Sequence, residues 1–208
     1  MELFHEIFDS VKSLGKEDVI RLATTSFGVL LGALLAYANQ NRIERKKKAI
    51  ENINSCQQAL FFLGQLQENL HDMQKELEGS LKQPDRHLTL PEIIHGQDNV
   101  NFEDSSLTFL LYEKESNLVY KFSMIKREYY KLLSIRDKRN NFISKFPDMY
   151  SLSPLEEEQC KQYTDHLYNQ FERCFIFNKG IMREALDTFK VKFKKVNFVV
   201  GVTNVMNR

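Results

Sequence analysis

The sequence is poor in cysteine, proline and glycine, and it carries almost no net charge. Its three cysteines, Cys56, Cys160 and Cys174, form no CxxC pair and stand at no zinc-ligand spacing. This argues against a disulfide scaffold and predicts reduced, buried thiols in a cytosolic domain. With four prolines and eight glycines among 208 residues, and few alternating β-branched runs, the chain is predicted to be all-α. A net charge of +1 gives no global attraction to nucleic acid.

Sequence motifs for catalysis and metal binding are also missing. The chain has no GxSxG, Walker-type glycine loop or GxGxxG. Its five histidines stand at no HxxxH or HExxH spacing, which favours surface or hydrogen-bonded side chains: His5, His71, His87, His95 and His166. We therefore expect a non-enzymatic protein without metal or cofactor.

One charge-free run, Leu22–Asn41, dominates the N-terminal part of the chain. Twenty helical residues extend about 30 Å, the thickness of a bilayer's hydrocarbon core. We predict a transmembrane helix over residues 19–41. A signal peptide is disfavoured because its bases would precede the apolar stretch. A buried core helix is the alternative interpretation, because threonine, serine and glycine make the run only moderately hydrophobic.

A basic flank follows the run, and its five cations are Arg42, Arg45, Lys46, Lys47 and Lys48. Such a cluster resists translocation and favours the cytoplasmic side. The prediction is a single-pass protein of the cell inner membrane, with its N-terminus outside and residues 42–208 in the cytoplasm.

Small and hydroxyl residues interrupt the apolar run at two sets of positions. Four small residues at i, i+4 spacing predict a self-association face: Thr24, Gly28, Gly32 and Ala36. The candidate pore-lining residues of an oligomer are Thr25, Ser26 and Asn39. Alternatively, the hydroxyls bond back to carbonyls of their own helix.

Helical patterns cover most of the remaining chain. Residues 1–15 predict an amphipathic helix, lying either in the membrane interface or on a neighbouring protomer. A helix continuous with the span is predicted to run to Lys82 and to end at Pro84. Residues 83–106 predict a long loop, with one helical turn at Glu92–His95.

Two further helices are predicted after this loop. Asp104-Ser105-Ser106 offers an N-cap for a helix that runs toward Phe146. Ser153-Pro154-Leu155-Glu156 is a capping box with proline at the first helical position. Two sets of apolar residues at helical spacing are expected to face the core of an antiparallel cytosolic bundle. They are Leu118, Phe122, Ile125, Tyr129 and Leu132, and then Cys160, Tyr163, Leu167, Phe171, Cys174, Ile181, Ala185 and Phe189.

Basic residues are frequent in the first of these two helices. We expect a solvated basic face there, formed by Lys126, Arg127, Lys131, Arg136, Lys138 and Arg139. Within it, Arg136, Arg139 and Asn140 are candidate contacts for RNA or a protein partner. Arg139-Asn140 resembles the start of the arginine–histidine motif of HEPN ribonucleases. The position of the motif's histidine is occupied by Ser144, which puts RNA cleavage in doubt.

The layout of span, basic flank and helical domain resembles small bacterial inner-membrane proteins with degenerate HEPN-like bundles. The accessory membrane pores of type VI-B CRISPR systems are an example. The resemblance implies an oligomeric pore and a role in phage defence. The alternatives are a membrane-anchored adaptor for a cytosolic protein and a degenerate HEPN-like RNA-binding protein. The expected partners are the membrane, further copies of the chain and a cytosolic protein.

Overall fold

The computed structural model describes residues 15–94, 102–112, 114–146 and 148–198, and this part of the chain contains helices and turns but no strand. The prediction of an all-α chain is therefore confirmed. The helix predicted at residues 1–15 lies outside the described residues, except for Gly15. Contacts divide the chain into two compact units, Met1–Glu51 and Asn52–Arg208. We call residues 52–198 the helical domain.

The first helix, α1, is the longest and spans Lys16–Glu78. The amides of Asp18 and Val19 donate to the Gly15 carbonyl at 3.0 and 3.1 Å, which starts the first turn. Glu17 and Asp18 lie in that turn, where carboxylates favour the positive end of the helix dipole. The predicted continuity between the apolar run and the following amphipathic helix is confirmed.

The end of α1 was predicted too late in the sequence. The helix stops at Glu78 instead of Lys82, and isolated turns follow, in which the Ser80 amide donates to the Leu77 carbonyl at 3.2 Å. Ser80 is buried, and its hydroxyl contacts the Tyr168 hydroxyl at 2.7 Å. The two residues are far apart in the sequence, so this contact could not be predicted from it. Leu81, which lies in these turns, is half exposed.

The connection between residues 83 and 106 contains short helical turns at other positions than predicted. Helix α2 is a single turn at Arg86–Thr89. Residues 92–94 are not helical, so the predicted turn at Glu92–His95 is wrong for its described part. A 3-10 turn spans Asp104–Leu107, and helix α3 follows at Phe109–Tyr112.

Helix α4 spans Ser116–Ile143, and its start differs from the prediction. The polar triplet at residues 104–106 begins the 3-10 turn rather than the long helix. Lys114 then takes a left-handed conformation with φ of 62°. The Glu115 amide donates to the Leu110 carbonyl at 2.8 Å, so the chain turns before α4 begins.

Helix α5 spans Pro154–Lys192, and its predicted capping box is confirmed. The Glu156 amide donates to Ser153 Oγ at 3.4 Å, and the Ser153 amide donates to Glu156 Oε2 at 2.9 Å. Two of the amides left free at a helix N-terminus are thereby satisfied.

The core of the helical domain collects the predicted apolar stripes. All five stripe residues of α4 are buried, and α5 buries Cys160, Leu167, Cys174, Ile181, Ala185 and Phe189. Tyr163 and Phe171 keep partial exposure. Buried polar side chains also join the helices: Asn178 Nδ2 donates to the Leu63 carbonyl at 3.1 Å, and Asn69 Nδ2 donates to the Tyr129 hydroxyl at 3.1 Å.

Candidate functional site

Residues 22–40 of the apolar run in α1 are exposed within the chain. Its most hydrophobic 18-residue window has a mean hydropathy of 1.8, and none of it is buried. Leu30, Leu34 and Leu35 are each more than three-fifths exposed. The described part of the chain thus contains one helix that is long and apolar enough to cross a membrane.

The small-residue face of the run is open. A methyl group built on Gly28 or Gly32 would meet nothing within 4 Å. Thr24 and Ala36, the other two members of the predicted face, are exposed. The backbone along this face is therefore accessible to a second helix, and self-association through it stays a prediction.

The hydroxyls near the start of the run bond to their own helix. Thr24 Oγ1 donates to the Ile20 carbonyl at 2.6 Å, and Thr25 Oγ1 donates to the Arg21 carbonyl at 2.8 Å. Ser26 and Asn39 are exposed on the same helix. The two threonines therefore need neither water nor a partner to satisfy their donors.

The basic flank continues α1 beyond the run. Its five cations, Arg42, Arg45, Lys46, Lys47 and Lys48, are all exposed. The acid inside the cluster, Glu44, accepts a hydrogen bond from Gln40 Nε2 at 3.2 Å. The flank therefore presents a concentrated positive charge directly after the apolar run.

Arg139 lies in the core, which corrects the prediction of a solvated position. Its exposed fraction is 0%, and it is the largest fully buried side chain in the described part of the chain. Its guanidinium donates from Nε to Thr164 Oγ1 at 3.1 Å and from Nη1 to the Pro91 carbonyl at 2.9 Å. A third hydrogen bond runs from Nη2 to the Leu90 carbonyl.

Asn140 holds the next part of the same segment. Its Nδ2 donates to the Ile93 carbonyl at 2.8 Å, and its Oδ1 accepts from the Ile93 amide at 3.2 Å. Arg139 and Asn140 together fasten residues 90–93, and we call these two residues the loop clamp. The clamp satisfies main-chain groups of residues 90–93, which lie outside the helices. Arg139 and Asn140, the pair that resembles the start of a nuclease motif, therefore have a structural role here.

Burial gives the clamp an unusual electrostatic setting. Desolvation lowers the pKa of Arg139, but a guanidinium starts from so high a value that it stays charged. Burial raises the pKa of the neighbouring Cys160 thiol. That thiol donates to the His87 carbonyl at 3.0 Å, so it too holds the connecting segment.

The predicted basic face is smaller than expected. Arg136, another candidate contact residue, is also buried, with 7% of its surface exposed. Its guanidinium pairs with Asp137 at 2.7 Å. Arg127, Lys131 and Lys138 remain exposed.

A buried carboxylate lies beside the remaining basic residues. Glu128 is 6% exposed and accepts a hydrogen bond from Gln170 Nε2 at 3.1 Å. This hydrogen bond, assisted by Arg173, Lys131 and Arg127, lowers the pKa of Glu128 against the opposing effect of burial.

Sequence reasoning missed a groove in the helical domain. It has a volume of about 440 Å³ and is lined by Gln74, Leu77, Glu78, Leu81, Arg86, Tyr168, Asn169, Phe171, Glu172, Phe175 and Ile176. The lining comes from the end of α1, from α2 and from the middle of α5. The exposed apolar residues Leu81 and Ile176 were the available signal, but only the fold shows that they line one groove.

Comparison with known proteins gives no assignment. No protein family matches the chain, and neither a curated protein nor a solved structure is significantly similar to it. Among the described residues, no group of three or more His, Cys, Asp or Glu side chains is placed to hold a metal ion.

Proposed function

We propose that this chain is a non-enzymatic, single-span membrane protein that self-associates and presents an antiparallel helical bundle to a cytoplasmic partner. The observation that carries this proposal is the apolar window of α1, in which no residue is buried. Monomeric soluble proteins rarely expose a contiguous apolar surface of this size, because its hydration is unfavourable. A bilayer removes that cost.

The basic flank supports an orientation for the span. Five exposed cations follow the apolar run directly, and positively charged flanks stay on the cytoplasmic side. The proposed location is the cell inner membrane, with the helical domain in the cytoplasm. Reporter fusions at the two ends of the chain test this orientation. A C-terminal reporter that is active only in the periplasm would contradict it.

Two substitutions on one helix test the membrane span itself. Leu34 and Ile50 are 65% and 58% exposed, so neither contributes much to folding. A charge at the centre of a span costs about 3 kcal/mol on insertion scales, so Leu34→Lys should reduce the membrane-bound fraction after alkaline extraction. Ile50→Lys, outside the span, should leave that fraction unchanged. Equal behaviour of the two variants would refute the span.

Self-association is tested on the small-residue face. Gly32→Leu should reduce crosslinked dimers and higher oligomers, because the added side chain would hold two backbones apart. Ala33→Leu adds comparable bulk one position away, off the face, and should have little effect. If both variants crosslink like the wild type, the face does not mediate association.

Membrane permeabilisation is a second candidate function. The span uses three neighbouring positions for the hydroxyl residues Thr24, Thr25 and Ser26 and two for glycine, and an oligomer could place such residues along a water-filled path. Against this, the two threonine hydroxyls are already satisfied within their helix. Dye leakage from liposomes that contain the crosslinkable oligomer would support a pore. An intact oligomer without leakage would leave the partner-binding function.

A further inference from the structure

We propose that the groove between the end of α1 and α5 binds a cationic amphipathic helix of a protein partner. This inference deepens the proposed function, since it states the chemistry of the cytoplasmic partner. It depends on four features of the groove: its apolar floor, its apolar edges, the sign of its charge and the hydrogen bonds that hold its floor.

The floor of the groove is apolar and well packed. Leu77 is 2% exposed and Tyr168 is 8% exposed. Phe171 and Phe175, one turn apart on α5, extend the floor with ring centroids 5.8 Å apart. A floor of this kind offers apolar surface to a ligand without having to rearrange.

The edges of the groove expose apolar side chains to water. Ile176 is 64% exposed and Leu81 is 50% exposed, and both line the groove. A volume of about 440 Å³ accommodates a few large side chains of a ligand. Apolar side chains projecting from one face of a helix are the usual occupants of such grooves.

The charge of the groove is negative. Glu78 and Glu172 are exposed lining residues. Arg86, the one cation among the described residues that line the groove, pairs with Asp165 and lies over the Tyr168 ring at 4.4 Å from its centroid. The two glutamates therefore set the net charge, which favours lysine or arginine on the ligand and disfavours acidic or phosphate-bearing ligands.

The floor of the groove is held in place by hydrogen bonds that need no ligand. The Tyr168 hydroxyl donates to the Leu77 carbonyl at 2.9 Å and contacts Ser80 Oγ at 2.7 Å. These contacts connect α5 to the end of α1 directly under the groove. A preformed site loses less conformational entropy on binding than a flexible one.

A binding experiment tests the chemistry of the ligand. The full chain in nanodiscs of zwitterionic lipid is titrated with a 14-residue helical peptide of leucine and lysine, with empty nanodiscs as the background. The matched control peptide has glutamate in place of every lysine. We expect saturable binding of the lysine peptide and at least tenfold weaker binding of the glutamate peptide. Equal binding of the two peptides would overturn the proposal.

Variants then locate the binding site. Glu172→Lys should weaken binding of the lysine peptide about two- to fivefold, as expected for exposed ion pairs. Glu158→Lys, which changes another exposed glutamate of α5, should leave it unchanged. Ile176→Ser should weaken binding about tenfold through lost apolar contact. Because Ile176 is exposed, its variant should melt like the wild type, and unchanged binding would refute the groove.

Crosslinking in cells identifies the natural occupant. A photoreactive phenylalanine analogue replaces Ile176 in one sample and Leu155, a 71% exposed residue of the same helix, in the other. The proposal requires a crosslink at residue 176 to a partner segment with net positive charge and apolar residues at helical spacing. A crosslink to lipid, to a second copy or to an acidic segment would refute it. If the chain is not found in the membrane fraction of these cells, the proposed span is refuted, whereas the groove proposal is not affected.

Discussion

Replacing Arg139 by methionine should make the helical domain easier to unfold, because the loop clamp would lose its three charged donors. Methionine keeps most of the apolar stem of arginine, so the change isolates the hydrogen bonds from the packing. The acceptors left behind are the carbonyls of Leu90 and Pro91 and the hydroxyl of Thr164. The hydroxyl can rotate to another partner, whereas the carbonyls cannot.

The magnitude follows from the burial of these acceptors. The hydrogen bond to Leu90 is buried, so its loss costs about 1–3 kcal/mol for an unsatisfied carbonyl. The hydrogen bond to Pro91 is partly buried, and its loss costs about 1 kcal/mol. We expect Arg139→Met to lower the free energy of unfolding by about 2–4 kcal/mol in total. Asn140→Ala, which removes both contacts to Ile93, should lower it by about 1–2 kcal/mol.

The assay is denaturant unfolding of the full chain in detergent, followed by circular dichroism. Hydrogen exchange of the Ile93 amide, which donates to Asn140, gives a local measurement. The control is Lys138→Met, an exposed neighbour that should change the free energy by less than about 0.5 kcal/mol. If Arg139→Met were as mild as Lys138→Met, the clamp would not stabilise the fold. An RNA-contacting Arg139 would give the opposite pattern, with lost RNA affinity and unchanged stability.

Three further predictions concern other parts of the helical domain. The hydrogen bond from Gln170 lowers the pKa of Glu128, so this carboxylate stabilises the fold above its unfolded pKa, and the stabilisation is lost as pH falls through the folded value. Glu128→Gln should flatten the acid limb of a stability-versus-pH curve, and an unchanged limb would contradict this assignment. Ser153→Ala should cost about 1 kcal/mol by removing the α5 cap, as measured by thermal unfolding. Burial raises the pKa of Cys56 to about 12 and that of Cys174 to about 11, so both thiols should resist alkylation at pH 8 until the protein is unfolded.

The regular parts of the fold were predictable because their signals are local. The α4 stripe from Leu118 to Leu132 repeats at helical spacing, and its burial follows from the period alone. The capping box at Ser153 was equally clear, since the two groups that bond are three residues apart. The start of α4 was missed because the left-handed turn at Lys114 has no glycine to mark it.

The loop clamp and the groove were not predictable because their parts are distant in the sequence. Arg139 bonds to a carbonyl 49 residues earlier, and a basic helix pattern cannot show that one of its arginines faces inward. The groove combines residues near Glu78 with residues near Glu172, and each half alone resembles an ordinary helix surface. Leu81 and Ile176 were visible in the sequence, but their exposure and their proximity were not.

If α1 crosses a bilayer as proposed, the internal bonding of Thr24 and Thr25 affects how the apolar helix can be oriented in it. Since both hydroxyls donate to carbonyls one turn earlier, neither side of the helix carries an unmet donor at these positions. The helix can therefore rotate about its long axis without losing a hydrogen bond there. Close packing along Gly28 and Gly32 would then mainly decide which side of the helix contacts a neighbouring copy. Small changes in side-chain bulk should therefore change the rotation of each helix in an assembly more than changes in polarity do.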